Sequence, residues 1–554
     1  TYNWECFHAT PSPNPMHLQN QSLQRRIGVI GLTFIGVTTT IGSGWLFASY
    51  RAAQIAGPAA IVSWLIGAAA MMLIGLCLAE VSARLPASGG LGRYLEYTHG
   101  SLASFIIAWV NWLGFAAVIP SEASATVEYL AAQPALNGLL DPATQEMTTI
   151  GLLTASGFMV GYLLLNYWSL KLLLSTTTAV TLFKLITPLL TAGLLLSESF
   201  HAENFGVGPT EFAPNGWDAV LTAVSVGGVV YTFNGFQQAA NLAGEAINPS
   251  RTLPRALFLT FVICLVVYLC LQTAFIGAVD PAQIQAHGWK GLSFGSPFLD
   301  LAMLLNLNVV VLLIYADAVI SPTGSGTVCL TATSRMALGM SESGYMPAWA
   351  KQVDPRYQNP RAALLFSFFI GLGFLWVFRG WGFLAGMIGV MLTLVFIAAP
   401  AAALALRRWG EEDADAVRMP GLHWAAPLSF IVVTLLLYWS SWPKPGQLLL
   451  LIAAGLPMFL YYQRQAGWPE WRAQLRGSAW LLSYLPTVAV LSWIGGTEFN
   501  GLGILSDQGW DEVTVALTGL LFYYWALRSS WPTPALRRTS SVSSVATPSQ
   551  GKQE

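Results

Sequence analysis

Long apolar segments alternate with short polar ones along almost the whole chain. Because roughly 20 consecutive apolar residues are needed to cross the hydrocarbon core of a bilayer, this pattern predicts about fourteen membrane-spanning helices. The first seven predicted spans cover residues 27–56, 58–83, 101–131, 148–168, 173–198, 217–245 and 254–279. The other seven cover residues 297–338, 362–379, 381–406, 424–441, 446–462, 475–494 and 512–528. The predicted fold class is therefore all-α and polytopic.

The composition fits a protein surrounded by lipid. Hydrophobic residues make up 54% of the chain and charged residues 10%, and the mean hydropathy is +0.56. Soluble domains carry about a quarter charged residues. The formal net charge of -1 offers no basic surface for a polyanion, so nucleic acid is excluded as a partner. The five cysteines show no metal-binding or redox spacing, and we expect them to be buried hydrophobes.

Basic residues mark one side of the predicted membrane. With each span crossing once, almost all Lys and Arg outside the spans fall on the side of the two termini, and only Lys290, Arg379 and Lys444 fall in the opposite loops. Cytoplasmic loops carry the excess of Lys and Arg. Both termini are therefore predicted to be cytoplasmic, and the membrane is predicted to be the plasma (cell inner) membrane.

Two spans contain helix-weakening glycines at mid-depth, where no water can satisfy a broken backbone. Span 1 reads TTTIGSGW at residues 38–45, and span 6 reads YTFNGFQ at residues 231–237, a turn after Gly227 and Gly228. Span 1 enters from the cytoplasm and span 6 from outside, which is the relation of inverted repeats around a central binding site. The alternative is that these glycines only permit close helix packing.

Such breaks would expose backbone groups of both polarities. Free amides at the half-helix after Gly42 suit a carboxylate, and free carbonyls at the ends of the preceding half-helices suit an ammonium group. An α-amino acid carries both groups.

Four sets of motifs carry a resemblance to a known family. They are Ile41-Gly42-Ser43-Gly44 with Ala56-Gly57-Pro58, EVSARLPASGG at residues 80–90, GEAINPSRTLPRA at residues 244–256, and Ser334-Arg335 with Gly344-Tyr345-Met346-Pro347. With these motifs the chain resembles the amino acid, polyamine and organocation (APC) transporter superfamily over spans 1 to 12. The length, Trp45 and the sequence Asn234-Gly235-Phe236-Gln237 are most similar to the aspartate:proton symporter group.

The resemblance implies a LeuT-like fold of two inverted five-helix repeats with extra C-terminal helices. The expected division is a cytoplasmic tail at 1–26, repeats at 27–200 and 217–408, four further spans at 421–530 and a disordered cytoplasmic tail at 531–554. The last two spans could dock a partner or a second copy.

The resemblance also implies where a substrate is held. Its carboxylate would meet the amides of Ser43 and Gly44, and its ammonium group would meet the carbonyls of Thr40, Tyr231 and Asn234. Tyr231 stands where the family places an aromatic gate, and ordinary packing of this ring is the alternative. The expected substrate-binding residues are Thr40, Ile41, Gly42, Ser43, Gly44, Tyr231, Phe233, Asn234 and Gly235.

Lys184 is predicted to lie near the middle of span 5, roughly 16 Å of helix rise from the cytoplasmic end. A charged amine at this depth must face a polar interior, pair with a partner or lose its proton. Some proton-coupled members of the superfamily have a lysine on this helix, which implies that Lys184 carries the coupling proton. A permanently charged structural lysine is the alternative. The expected partners are the backbone near Gly36 and Val37, or Ser321, Thr323 or Ser325 on span 8.

Four carboxylates are candidates for gating or secondary roles. Asp317 and Glu122 lie inside spans, where a charge facing lipid is costly. They could contact a substrate side chain, relay protons or bond neighbouring helices. Glu80 and Glu245 lie near cytoplasmic helix ends, within the family motifs, and we expect them to brace those ends and the inner gate.

Together these features predict a secondary active transporter that imports an amino acid by proton symport with alternating access. Besides the coupling proton no cofactor or metal is expected, and the carrier is expected to be a monomer or a homodimer in the lipid bilayer. An amino acid exchanger and a non-transporting amino acid sensor stay open as alternatives. The paired breaks disfavour a channel. The lack of a mid-bilayer histidine and of a nucleophile elbow disfavours an enzyme.

Overall fold

The computed structural model describes residues 27–85, 90–168, 170–206, 209–241, 246–354, 360–409, 418–505 and 509–537. Within these residues the regular structure is helical, and extended pairing is limited to isolated bridges such as that between Ile27 and Ala246. The predicted all-α class is confirmed.

The helices follow one another with short connections. Those of the first half of the chain are α1 (Val29–Thr40), α2 (Gly44–Ala56), α3 (Ala60–Arg84), α4 (Leu91–Thr98), α5 (Ser101–Leu130), α6 (Thr149–Trp168), α7 (Leu170–Glu198), α8 (Pro209–Phe212), α9 (Trp217–Ser225), α10 (Val229–Phe233), α11 (Gln237–Asn241) and α12 (Pro249–Ala278). Those of the second half are α13 (Pro281–His287), α14 (Pro297–Leu304), α15 (Asn308–Glu342), α16 (Arg361–Val377), α17 (Trp381–Val395), α18 (Ala398–Trp409), α19 (Leu422–Tyr438), α20 (Lys444–Gln465), α21 (Trp471–Ile494) and α22 (Trp510–Ser529).

Many of these helices can cross a membrane. Within the described ranges, nine helical stretches are long and apolar enough to cross a membrane. The number is ten if α9 and the helix that follows it, which are bent relative to each other, are counted as one span. Three further apolar helices, α1, α16 and α19, are shorter. Each predicted span coincides with a helix or with consecutive helices. The multi-pass architecture is confirmed, while the total of about fourteen crossings stays a prediction.

Two predicted spans are interrupted in ways that the apolar pattern does not reveal. Span 8 is divided into α14 and α15 by a turn in which Asn306 takes a left-handed conformation (φ +56°). Span 10 is divided into α17 and α18 at Phe396 and Ile397. Pro400 follows the second break, and it cannot donate the helical hydrogen bond that Phe396 O would otherwise accept.

Helix α5 lies at the centre of the fold. Of its most apolar window 94% is buried, more than in the other candidate spans, and it packs against α15, α16 and α17. Because protein surrounds this helix, its charged side chains Glu122 and Glu128 cannot reach lipid headgroups and must find partners inside the fold.

The C-terminal helices are joined to the core between α4 and α5. His99 lies at this junction, is fully buried, and donates from Nε2 to Ala526 O of α22 (3.0 Å). Trp531 N donates to Thr98 O (2.9 Å). The disordered tail is predicted to begin at residue 531, but residues 531–537 include buried side chains and pack against the core.

We expect His99 to make the stability of the protein depend on pH. Burial lowers the pKa of His99 from 6.5 to about 4, so the unfolded chain binds more protons than the folded protein between these values. This stability is complete above about pH 6.5 and is lost as the pH falls toward 4, by up to about 3 kcal/mol.

The variant His99→Gln keeps a donor for Ala526 O and does not titrate. It should flatten the dependence of Tm on pH between 4 and 6.5, measured on the purified protein in detergent. An equally steep dependence in the variant would contradict this assignment.

Candidate functional site

The first helix break lies between α1 and α2. Ile41 leaves the helical conformation (φ -85°, ψ 95°), although its N–H still bonds to Val37 O. The helix resumes at Gly44, with Ser43 as the preceding cap. The predicted interruption of span 1 is therefore confirmed, and it exposes backbone groups that a continuous helix would satisfy.

The second break lies between α10 and α11. Asn234 is extended (φ -64°, ψ 145°), and Gly235 has φ +118°, which favours glycine. The Gln237 side chain accepts from Gly235 N through Oε1 (2.9 Å). A bend of 41°, near Gly228 with φ +91°, also separates α9 from α10. Span 6 is therefore broken at Asn234 and Gly235, as predicted, and it also bends near Gly228.

The two breaks lie side by side and run in opposite directions. Thr39 Oγ1 donates to Gly235 O (2.9 Å). Further along, Gly44 faces Thr232, and a Cβ added to this glycine would lie 2.8 Å from Thr232 Oγ1. Residue numbers thus rise along α1 and α2 where they fall along α10 and α11, as the inverted arrangement requires. Gly44 also shows that close packing is one use of these glycines.

Tyr268 of α12 connects the two broken helices. Its hydroxyl lies 3.2 Å from Thr40 O and 3.1 Å from Thr232 O. Thr40 O is one of the carbonyls expected to meet a substrate ammonium, so part of its accepting capacity is already used. Sequence reasoning missed Tyr268, because a tyrosine in an apolar run carries no signal that separates a bridging hydroxyl from ordinary packing.

Each break holds one buried polar atom without a hydrogen-bond partner in the part of the chain that the structure describes. These atoms are Thr40 Oγ1 in the first break and Asn234 Oδ1 in the second. Buried polar atoms are almost always hydrogen-bonded. These two atoms are therefore available to a ligand that can form hydrogen bonds.

Aromatic rings cover the first break. Trp381 Nε1 donates to Ser43 Oγ (3.0 Å), and its ring stacks on Phe47 with 4.6 Å between centroids. The Tyr231 hydroxyl lies 3.3 Å from Ser43 Oγ, and its ring meets Trp381 edge-on at 5.4 Å. Tyr231 thus lies against the break, while its gate role stays a prediction. Sequence reasoning missed Trp381, because tryptophans are also common at membrane interfaces.

Glu122 of α5 points into the first break. Its side chain is 2% exposed, and Ser43 N donates to Oε2 (3.1 Å). Tyr231 donates to Oε1 at 3.4 Å, and a Cβ added to Gly42 would lie 3.0 Å from the same atom. Of the three roles left open for Glu122, the structure supports helix bonding, because this carboxylate joins α5 to α2 and α10.

Lys184 of α7 reaches toward the first break through Ser325, whose Oγ lies 3.3 Å from a Cβ added to Gly42. Its side chain is 2% exposed, and Nζ donates to Ser325 Oγ of α15 (2.8 Å). Of the expected partners on span 8, Ser325 is the one that it contacts in the structure. The charges of Glu122 and Asp317 both act on this ammonium group. A buried cation with two carboxylates near it can hold or release a proton without exposing charge to lipid.

Asp317 of α15 is fully buried and uses both carboxylate oxygens. Trp45 Nε1 donates to Oδ2 (2.8 Å), and Ser321 Oγ donates to Oδ1 (2.7 Å). The tryptophan that follows the glycine motif therefore ties α2 to α15. Thr323, two residues beyond Ser321, lines an apolar groove of about 830 Å³ between α6 and α15.

The remaining predicted residues are Glu80, Glu245 and Phe233. Glu80 is fully buried and bonds to Arg84 (3.2 Å) and Arg407 (2.6 Å), so it braces α3 against α18. Glu245 lies outside the described residues. Phe233 packs its ring against Trp64 and Tyr268, at centroid distances of 5.9 and 5.4 Å. Among the described His, Cys, Asp and Glu residues, no group of three could hold a metal ion.

Residues 27–459 match the family model described as amino acid permease. The chain belongs to this family. The predicted resemblance to the APC superfamily is thereby confirmed, and the permease is a multi-pass membrane protein.

Individual relatives match most of the permease. The glutamate/serine transporter AimA of Bacillus subtilis (strain 168) is 43% identical over 527 residues, which are 94% of this chain and 97% of that protein. The aspartate-proton symporter of the same organism is 32% identical over 522 residues, which are 93% of this chain and 98% of that protein. The methylthioribose transporter, also from this organism, is 25% identical over 463 residues, 81% of this chain and 95% of that protein. These relatives are named as transporters, which are not enzymes.

Proposed function

We propose that the permease imports an amino acid across the plasma membrane by proton symport, through alternating access to a site between the two helix breaks. The observation that carries this proposal is the antiparallel meeting of the breaks, at which Thr40 Oγ1 and Asn234 Oδ1 are buried without a partner among the described residues. Paired interruptions of this kind favour a transport site over a continuous pore.

The substrate class proposed is glutamate, aspartate and serine. The names of the two relatives with 43% and 32% identity support it. An acidic side chain near Glu122 would be repelled if both were ionised, so transport of such a substrate is favoured when a proton neutralises Glu122 or when Lys184 offsets the charge.

Lys184 is proposed as the proton carrier. In this proposal the protonated amine favours the outward, substrate-loaded state, and release of the proton to the cytoplasm lets the carrier reset. The membrane potential supplies about 2.3 kcal/mol per charge for each 100 mV, which can drive accumulation of a neutral solute.

The same proposal includes the division of the chain. Residues 27–200 and 217–408 form the two inverted repeats, residues 421–530 add further helices, and both termini face the cytoplasm. The excess of basic residues on one side supports this orientation.

Uptake of each standard amino acid into proteoliposomes, with and without an inward proton gradient, tests the proposal. We expect glutamate, aspartate or serine to accumulate with the gradient and to stop accumulating when a protonophore is added; liposomes without protein are the control. Uptake that requires an internal amino acid would favour exchange. Binding without any uptake would favour a sensor, and a lack of binding of every amino acid would overturn the proposal.

A further inference from the structure

The amide of Ser43 already has an anionic partner within the protein. The proposed function gives this N–H to the substrate carboxylate, but in the structure it donates to Glu122 Oε2 (3.1 Å), with Oε1 at 3.5 Å. The contact lies at the beginning of α2, where the helix dipole also favours a negative group. Glu122 therefore occupies the place that a substrate carboxylate needs.

Glu122 comes from outside the broken helices. It lies on α5, which is firmly enclosed by its neighbours and does not belong to either break. Its carboxylate reaches the first break beside Gly42, the residue at which a Cβ would approach Oε1 to 3.0 Å and Ser325 Oγ to 3.3 Å. The lack of a side chain at Gly42 therefore leaves the space in which the carboxylate meets the amide.

Two other buried carboxylates of this region have their own partners. Glu128 accepts from Trp381 N (2.7 Å). Asp317 is held by Trp45 and Ser321, one on each oxygen. Glu122 has a further partner in the Tyr231 hydroxyl, 3.4 Å from Oε1. The Lys184 ammonium donates to Ser325 Oγ, which lies against the same glycine as Glu122.

We propose that Glu122 is an internal carboxylate ligand that occupies the Ser43 amide when no substrate is present and competes with the α-carboxylate of an arriving amino acid. This inference rests on the proposed function, because it takes the broken helix as the substrate site. One N–H donates to one strong acceptor at a time, so the substrate gains the amide only when Glu122 gives it up. Charge-assisted bonds of this kind are about twice as strong as neutral ones, which makes the competition effective.

The competition acts on one end of the substrate. A ligand with an α-carboxylate must displace Glu122, whereas the same molecule with a neutral carboxamide there gains little from the freed amide. Weakening Glu122 should therefore improve binding of the acid and leave binding of the carboxamide unchanged.

The variant Glu122→Gln tests this inference, because its neutral oxygen competes less strongly for the Ser43 amide. The full-length protein in lipid nanodiscs is titrated with the amino acid that gives the strongest uptake, L-glutamate or L-serine, and with the α-carboxamide of the same compound. We expect the variant to bind the amino acid about tenfold more tightly than the wild type, which corresponds to about 1.4 kcal/mol. We expect the dissociation constant of the carboxamide to stay the same.

Asp511→Asn is the matched control. This carboxylate is buried on α22, far along the chain from the breaks, and accepts from Tyr438. Its conversion to an amide should leave both dissociation constants unchanged. If Glu122→Gln does not purify as a folded protein, Glu122→Asp replaces it, because the shorter side chain draws the carboxylate away from Ser43 N and should tighten binding in the same way.

The outcomes separate this inference from the proposed function. Weaker or unchanged binding of the amino acid in the folded Glu122 variant would overturn the competition, and so would an equal gain for the acid and the carboxamide. A wild-type protein that binds none of the standard amino acids would instead overturn the proposed function.

Discussion

Replacing Lys184 with alanine is expected to abolish uptake driven by an inward proton gradient. The amine is 2% exposed, is bonded to Ser325 and lies under the influence of two carboxylates, so its removal deletes the only group on α7 that the proposed cycle uses as a proton carrier. Exchange of internal for external amino acid should persist, because exchange does not require net proton movement. Both activities are measured on the same proteoliposome preparation.

A second substitution at this position separates coupling from structure. Lys184→Arg keeps a permanent cation near Glu122 and Asp317, since a guanidinium does not lose its proton in proteins. A structural lysine would be rescued by arginine, whereas a proton carrier would not. Lys444→Ala is the control, because Lys444 lies at the beginning of α20 and bonds to the backbone at Ser440 O (3.2 Å). Full retention of gradient-driven uptake in Lys184→Ala would reject the coupling role.

Gly235→Ala is expected to have the largest effect on folding and binding among single substitutions at the breaks. Gly235 has φ +118°, and a Cβ there would overlap the carbonyl of Thr39. Strained backbone costs about 1–3 kcal/mol, and overpacking costs a similar amount. The loss should therefore be roughly 3 kcal/mol or more, with the two broken helices forced apart and amino acid binding lost.

Gly421→Ala isolates the contribution of backbone strain. Gly421 also has a positive φ (+73°), but a Cβ there would meet no atom of the described residues within 4 Å. This control should lower the stability by about 1 kcal/mol and leave binding intact. Thermal unfolding in detergent and amino acid binding are the two measurements. If Gly235→Ala were as stable as Gly421→Ala and bound the amino acid normally, the close meeting of the two breaks would not be needed.

Much of the fold follows from the sequence because lipid imposes a simple length rule on apolar segments. The helices α1 to α3, α5 to α7 and α16 to α22 fall where apolar runs predict them, while α4 lies between two predicted spans. The length rule does not predict turns within an apolar run. It therefore misses the interruptions of spans 8 and 10, at Asn306 and Phe396. Both interruptions depend on local backbone geometry and on neighbouring helices rather than on hydrophobicity.

The candidate site divides in a similar way. The breaks themselves are predictable, because glycine and serine weaken a helix wherever they stand. The contacts of Glu122, Tyr268 and Trp381 depend on which helices become neighbours, and apolar helices carry little information about that. Lys184 is an intermediate case. A charge deep in a span predicts a partner, and the sequence offers three hydroxyls on span 8. The packing of the helices decides that Ser325 is the one bonded.

Tyr268 has one hydroxyl proton and two carbonyl oxygens within reach, at nearly equal distances. The hydroxyl hydrogen can point to Thr40 O or to Thr232 O after rotation about the Cζ–Oη bond, while the ring stays in place. A rearrangement that shifts one half-helix relative to the other would then trade one bond for an equivalent one. This bond then contributes about equally to both arrangements, which favours the alternation between them that the proposed function requires.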